Sequence, residues 1–120
     1  MGCKDCQIKR LAADNDDLAQ FHTFERDGYK CLRCQDENAG FELAHLINPD
    51  NWGTRWESDN MLTLCPVCHL WTQQNPGHFR GWMVSRLGIE RYEALITQAA
   101  GFIHSVKNLQ MIFYKLQGGF

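Results

Sequence analysis

The chain has 120 residues, of which 44% are hydrophobic and 22% charged, and its formal net charge is −2. This length fits one domain with a small core, and the negative charge argues against a protein that coats nucleic acid by bulk electrostatics. No apolar run approaches the roughly 20 residues of a membrane span, and the start MGCKDCQIKR has no apolar signal region, so a cytoplasmic protein without a membrane partner is expected.

The charge is unevenly distributed along the chain. Residues 1–79 carry 7 Lys or Arg against 12 Asp or Glu, whereas residues 80–120 carry 5 against 2. If the protein binds a polyanion, the C-terminal segment is the better candidate for the contact.

The first 13 residues are predicted to form a tail that carries a Cys-x-x-Cys pair, Cys3 and Cys6. The pair is either half of a second zinc site, completed by His22, His104 or a partner chain, or a simple thiol tail.

A helix is expected after this tail. It would begin with an acidic N-cap at Asp14 or Asp16 and end at Gly28. Three apolar residues on one face are expected to pack on the metal-bearing unit: Leu18, Phe21 and Phe24.

The middle of the chain predicts strand, loop, strand and helix. Alternation in FELAHL predicts a strand with His45 near its end, and residues 48–60 are rich in turn formers and should form a loop. MLTL predicts a second strand leading to Cys65, and Pro66 suits the first turn of a helix. The NPG of Asn75–Gly77 should stop that helix.

The rest of the chain predicts three amphipathic helices, interrupted at Gly88 and Gly101. The second contains Ile89, Tyr92, Leu95 and Ile96. The third, residues 102–116, either packs on its own domain or forms the face of a homodimer through the C-terminal helices.

Two further Cys-x-x-Cys pairs flank the predicted strands and form a set of four: Cys31, Cys34, Cys65 and Cys68. In a chain with cytosolic character such pairs are more readily metal ligands than disulfides. Two pairs that bracket strand and helix predict one structural zinc ion with four thiolate ligands.

Inside this bracket, fourteen residues separate His45 from Asn60 and eight separate Asn60 from His69. The order and spacing resemble the HNH nucleases, whose ββα-metal motif runs His, Asn, His, often between two such cysteine pairs. The resemblance covers residues 26–75, including RDGYKCLRC, AHL and DNMLTLCPVCH with the tryptophan that follows. The later FRGWMVSRLGIERYEAL is similar to the tail of some phage and prophage HNH proteins, which would act in the cytoplasm of a bacterial host.

The resemblance implies a metal-dependent DNA endonuclease that hydrolyses phosphodiester bonds. His45 would be the general base, because a neutral imidazole can accept a proton from water near neutral pH. His69 would hold a catalytic divalent ion, and Asn60 would brace the loop by hydrogen bonds to its backbone.

Ala44 departs from the family pattern, because many HNH enzymes have Asp or His there as a second metal ligand. A single imidazole holds Mg²⁺ poorly. A softer ion, Mn²⁺, Ni²⁺ or Zn²⁺, could compensate, or another residue such as Glu42, Asp50 or His78 could reach the site. The fold could also be an inactive zinc-binding module that binds nucleic acid or a partner protein.

Contacts to DNA are predicted mainly from Arg55 in the long loop, with Arg33 and Arg80 as further phosphate contacts. Trp52 and Trp56 flank Arg55 and either stack on a base or pack beneath the loop.

The sequence therefore predicts one α+β protein in three parts. These are a tail (1–13), a zinc-stabilised, treble-clef-like ββα-metal (HNH) core (14–79) and a helical C-terminal extension (80–120).

Overall fold

A computed structural model describes residues 3–102 and 105–120. Within these residues the chain is α+β, with five α-helices and a two-stranded sheet. The helices are α1 (Lys4–Arg26), α2 (Pro66–Gln74), α3 (Pro76–Leu87), α4 (Ile89–Ala99) and α5 (Val106–Gln117), and the strands are β1 (Glu42–His45) and β2 (Met61–Leu64). None of these helices combines the length and the apolar character that a membrane crossing requires.

Helix α1 is much longer than the sequence predicts. It begins at Lys4, and the Sγ of its N-cap, Cys3, accepts a hydrogen bond from the backbone N–H of Cys6 at 3.3 Å. The predicted start at Asp14 or Asp16 is therefore wrong, and residues 4–13, predicted as a tail, continue into the helix. The predicted end is confirmed, since Gly28 follows the last turn with a positive φ of 74°.

The buried face of α1 is also different from the expected one. Phe21 is 53% exposed, and the buried positions are instead small or polar residues at helical spacing: Ala12, Asn15, Ala19 and Thr23. Small side chains allow another helix to approach closely, and α5 packs there, with Leu109 and Leu116 buried. The apolar stripe of α5 therefore packs at least in part on its own chain; a homodimer through this helix stays a prediction.

The two strands are antiparallel, with His45 opposite Met61 and Ala44 opposite Leu62. All four residues of β2 are buried because the strand is covered on both faces. Leu62 and Leu64 face the core that contains the cysteines, whereas Met61 faces the core formed with α1 and α5. The strand therefore belongs to both hydrophobic cores.

Prolines and turn residues set the boundaries of the later helices, and the predicted interruptions at Asn75 and Gly88 are confirmed. Pro66 opens α2, Asn75 ends it, and Pro76 opens α3 immediately afterwards. Gly88, with φ at 89°, separates α3 from α4. Helix α5, the third of the helices predicted for the C-terminal part, begins at Val106 rather than at Phe102.

The long loop between the strands is fixed from two sides. On the α1 side, Asp16 accepts hydrogen bonds from the Arg55 guanidinium at 2.8 and 2.9 Å and from the Trp56 indole N–H at 2.8 Å. On the α4 side, the Gln98 amide donates to the Gly53 carbonyl at 2.9 Å. A Cβ at position 53 would lie 2.8 Å from the Gln98 carbonyl oxygen, so the close approach of α4 requires glycine there.

Replacing Asp16 tests the anchoring of the loop. Asp16→Ala should lower the free energy of unfolding by about 1–2 kcal/mol, because it leaves the Trp56 indole N–H and the Arg55 guanidinium without their acceptor. Urea denaturation measures this loss. Asp17→Ala removes the same charge from an exposed neighbouring position and is the matched control; equal losses in both variants would contradict the anchoring role.

Candidate functional site

Four cysteines meet at one point in the fold. The Sγ atoms of Cys31, Cys34, Cys65 and Cys68 all lie within 4.8 Å of one another. Cys31 and Cys34 come from the turn after α1, Cys65 is the N-cap of α2, and Cys68 is in its first turn. The pairing that the sequence predicts is therefore made, and the cluster can hold a structural metal ion such as zinc.

The cluster has the dimensions of a tetrahedral thiolate site. Zn–S bonds of about 2.3 Å imply distances of about 3.8 Å between sulfurs, and the Cys34 and Cys65 sulfurs are 3.7 Å apart. Backbone N–H groups also donate to sulfur, from Cys34 to Cys31 at 3.5 Å and from Cys68 to Cys65 at 3.4 Å. These donors stabilise the thiolate form that binds metal.

The thiols differ in acidity in the metal-free chain. Burial raises the pKa of Cys31, but the backbone groups of Cys34 and Cys65, among others, outweigh burial and lower it to about 6. Burial raises the pKa of Cys68 to about 12, although a hydrogen bond from the Arg33 guanidinium at 3.5 Å opposes the shift. Binding a metal ion to all four thiolates must therefore release protons.

Asn60 joins the two ends of the loop between the strands. Its side chain is fully buried; its Oδ1 accepts from the Ile47 N–H at 2.6 Å, and its Nδ2 donates to the carbonyls of Ile47 at 3.2 Å and Thr54 at 2.9 Å. The hydrogen bonds to the loop backbone that the sequence predicts are thus made. They fix the chain directly after His45.

His45 lies at the end of β1, and its ring contacts the same loop. Its Nε2 is 2.9 Å from the Arg55 carbonyl oxygen. A carbonyl only accepts hydrogen bonds, so Nε2 carries the proton and Nδ1 is left as the basic nitrogen. Burial lowers the pKa of His45, which favours the neutral ring.

His69 faces the strands from α2 and contacts a carboxylate. Its Nδ1 is 2.7 Å from Oε1 of Glu42, the first residue of β1. A hydrogen bond at Nδ1 leaves Nε2 as the available ligand atom, in the arrangement in which carboxylates orient metal-binding histidines. Glu42 is thus the one of the three proposed helper residues that contacts His69; within residues 3–102 and 105–120, neither Asp50 nor His78 forms a hydrogen bond or ion pair with it.

His45 and His69 line the same groove, whose volume is about 590 Å³. Its walls come from β1 and the residues after it, from α2, and from α3 and α4. Ala44 is not part of the groove: it is 1% exposed and packs in the core around the cysteines.

The three arginines predicted to contact DNA have different environments. Arg55 is paired with Asp16, and Arg33 stacks on the Trp71 ring at 3.8 Å, so both have partners within the chain. Arg80 is exposed and lines the groove.

The two tryptophans of the long loop pack against each other. The rings of Trp52 and Trp56 are in an edge-to-face contact, with centroids 5.5 Å apart, and Trp56 is buried. Of the two predicted roles, stacking on a base or packing beneath the loop, the structure shows packing for Trp56.

Tyr92 is a groove residue that no motif in the sequence marks as a site residue. It lies on α4, about 50 positions from His45, and lines the same groove. In the sequence it belongs to the apolar stripe of a predicted helix. The signal that could have identified it is an aromatic ring with a polar end in the net positive C-terminal segment.

Cys3 and Cys6 are exposed and do not meet His22. Because α1 is continuous, roughly 16 residues separate Cys6 from His22, which is about 24 Å along the helix axis. The predicted completion of this pair by His22 of the same chain is therefore wrong. His104 lies outside the described residues.

Comparison with known proteins gives one short similarity. The chain is 37% identical over 51 residues to a protein named Anaredoxin from Nostoc sp. (strain PCC 7120). The aligned part is 42% of this chain and 66% of that protein, so the chain spans just under two thirds of its length. No protein-family model matches the chain, and no solved structure matches it.

Metal analysis tests the cysteine cluster. We expect one zinc ion per chain by atomic absorption, contributing about 10–16 kcal/mol of binding free energy to folding. Cys65→Ser should lose the ion and the cooperative unfolding transition, whereas Cys6→Ser, outside the cluster, should keep both. Iron with a visible sulfur-to-iron absorption band, in place of zinc, would contradict the assignment of the metal.

Titration of His45 tests its burial. The pKa of His45 is lower in the folded chain than in the unfolded chain, so the unfolded chain binds more protons as pH falls. The contribution of the neutral His45 ring to the free energy of unfolding is therefore full above about pH 6.5 and is lost as pH falls through the folded pKa. NMR titration should give a midpoint below about 6.5, and His45→Gln should weaken the pH dependence of the unfolding free energy. A midpoint at or above about 6.5 would contradict the burial argument.

Proposed function

We propose that the chain is a metal-dependent DNA endonuclease of HNH type, in which β1, β2 and α2 form the ββα-metal core. The observation that carries the proposal is that His45 and His69 line one groove, while Asn60 fixes the loop after His45. These three residues are the ones on which the sequence resemblance rests.

His45 is the proposed general base. Its proton is on Nε2, which donates to the Arg55 carbonyl, and Nδ1 is free to accept a proton from the attacking water. The lowered pKa keeps the ring neutral at physiological pH, so that it is available as a base without prior deprotonation. The Arg55 carbonyl fixes this tautomer, and the loop that carries it is held by Asn60 and by the ion pair between Asp16 and Arg55.

His69 is the proposed ligand of the catalytic ion. The Glu42 carboxylate orients the His69 ring by its contact with Nδ1. Glu42 lies on β1, two positions before Ala44. The imidazole donor favours Mn²⁺, Ni²⁺ or Zn²⁺ over Mg²⁺. When bound, the ion supplies positive charge to the phosphoryl oxygens as negative charge grows on them.

The cysteine cluster contributes indirectly. Cys65 and Cys68 bracket the first turn of α2, and His69 is the next residue. A structural ion there fixes the direction in which α2 presents His69 toward β1. Its role is to position the site, and it takes no part in the bond cleavage.

A catalytically inactive zinc-binding module that binds nucleic acid or a partner protein is the second candidate. The burial of Ala44 favours it, because no metal-ligating side chain stands at that position. In this case the groove binds without cleaving.

The test is cleavage of supercoiled plasmid and of circular single-stranded DNA by zinc-loaded protein, with added Mg²⁺, Mn²⁺, Ni²⁺ or Zn²⁺. Wild type should cleave with at least one ion, whereas His45→Ala should lose 10²-fold or more in rate, typical for removal of a general base. His69→Ala should be similarly inactive. It should also lose affinity for the catalytic divalent ion, measured by calorimetry on the zinc-loaded protein.

His78→Ala is the matched control, since it removes an exposed imidazole that does not line the groove. Cleavage that persists in His45→Ala would overturn the proposed mechanism. Absence of cleavage from folded wild-type protein with every ion and both DNA forms would favour the binding module.

A further inference from the structure

The groove that His45 and His69 line also has lining residues from α3 and α4. The chemistry of these residues indicates which kind of DNA strand the groove can bind. Leu43, residues 45–49 and α2 line one part, and Pro76, Phe79, Arg80 and Tyr92 of α3 and α4 line another. The groove reaches inward to Phe79, which is only 5% exposed. A ligand that fills the groove therefore contacts residues of α3 and α4 as well as the two histidines.

The charge of the lining does not suit a duplex. In the part of the chain that the structure describes, Arg80 is the lining residue with a permanent charge, and the others are apolar, amide, hydroxyl or histidine side chains. Binding of duplex DNA draws its affinity from several Lys or Arg contacts to the phosphates of both strands. Arg33 and Arg55, the other two candidate phosphate contacts, have partners within the chain.

The chemistry of the lining suits an unpaired strand. Single-strand sites combine a backbone contact with an aromatic ring on which a base stacks, and Tyr92 and Arg80 offer this combination on neighbouring helices. Gln73, which is exposed, adds an amide group that can bond to a base edge. Asn48, also exposed, adds its Nδ2 donor, since its Oδ1 accepts from the Asp50 N–H at 2.8 Å. In a duplex the bases are stacked on each other, so a side-wall ring reaches a base face only when the nucleotide is extruded.

We infer that the groove binds an unpaired DNA segment, with one base stacked on Tyr92 and a neighbouring phosphate at Arg80. The assignment of DNA as the polymer rests on the proposed function. Tyr92 is then the residue that selects single-stranded over double-stranded substrate. Arg80 contacts the phosphate on one side of the bound nucleotide, and the phosphate on its other side lies between His45 and His69.

The experiment is fluorescence anisotropy with zinc-loaded protein and no second ion. The probes are a fluorescein-labelled single strand of about 12 nucleotides and the duplex of the same sequence. We expect the single strand to bind at least tenfold more tightly. Tyr92→Ala should weaken its binding about tenfold, as expected for one lost stacking contact, whereas Tyr92→Phe should retain it.

Two controls separate these contacts from general surface effects. Tyr114→Ala removes a tyrosine that is 72% exposed on α5 and should leave binding unchanged. Arg80→Ala should reduce the slope of log Kd against log salt by about 0.7, the value for one phosphate contact to a single strand. Arg86→Ala, on the same helix but outside the groove, should not change this slope.

The outcomes distinguish this inference from the proposed function. Equal or tighter binding of the duplex, or unchanged binding by Tyr92→Ala, would overturn the inference even if plasmid cleavage depends on His45. If single-strand binding depends on Tyr92 but no DNA is cleaved, the inference is supported and the proposed endonuclease activity is contradicted.

Discussion

Everything else in the fold depends on the convergence of four thiols at the start of α2. The cluster ties the turn after α1 to the N-terminus of α2, and β2 leads into it through Leu64. Because β2 is buried on both faces, it connects the cysteine cluster to the core in which α1 and α5 pack. A domain of this size has little apolar surface to stabilise such an arrangement alone, and a zinc ion held by the cluster would contribute a free energy comparable to the stability of a whole small domain.

The local features of the fold could be predicted from the sequence because they depend on short-range chemistry. Cysteine spacing, Pro66 at a first helical turn and Gly28 after a last one each act within a few residues. The extent and buried face of α1 could not be predicted in this way. Its packing surface consists of Ala12, Ala19 and polar residues, and these become an interface only because α5 lies on them.

The same distinction applies to the candidate site. His45, Asn60 and His69 could be identified because their spacing is a pattern along the chain. The environment of Arg55 could not, since its partner Asp16 is 39 positions away and an arginine in a loop gives no sign of such a contact. The DNA contact of Arg55 stays a prediction, whereas its pairing with Asp16, which anchors the loop, is seen only in the structure. The groove wall formed by Tyr92 was missed for the same reason, because it exists only once α4 is docked on the loop.

The contact between α1 and α5 has a consequence for the order of folding. The Asn15 side chain donates to the Leu109 carbonyl across 94 positions of sequence, so the second core contains some of the most distant contacts in the chain. On the ribosome, the cysteine cluster is complete once residue 68 has emerged, but α1 has no partner for its small-residue face until residues 106–117 follow. A metal ion that the cluster holds could thus bind before the fold is complete, and during that interval the small-residue face of α1 would be uncovered.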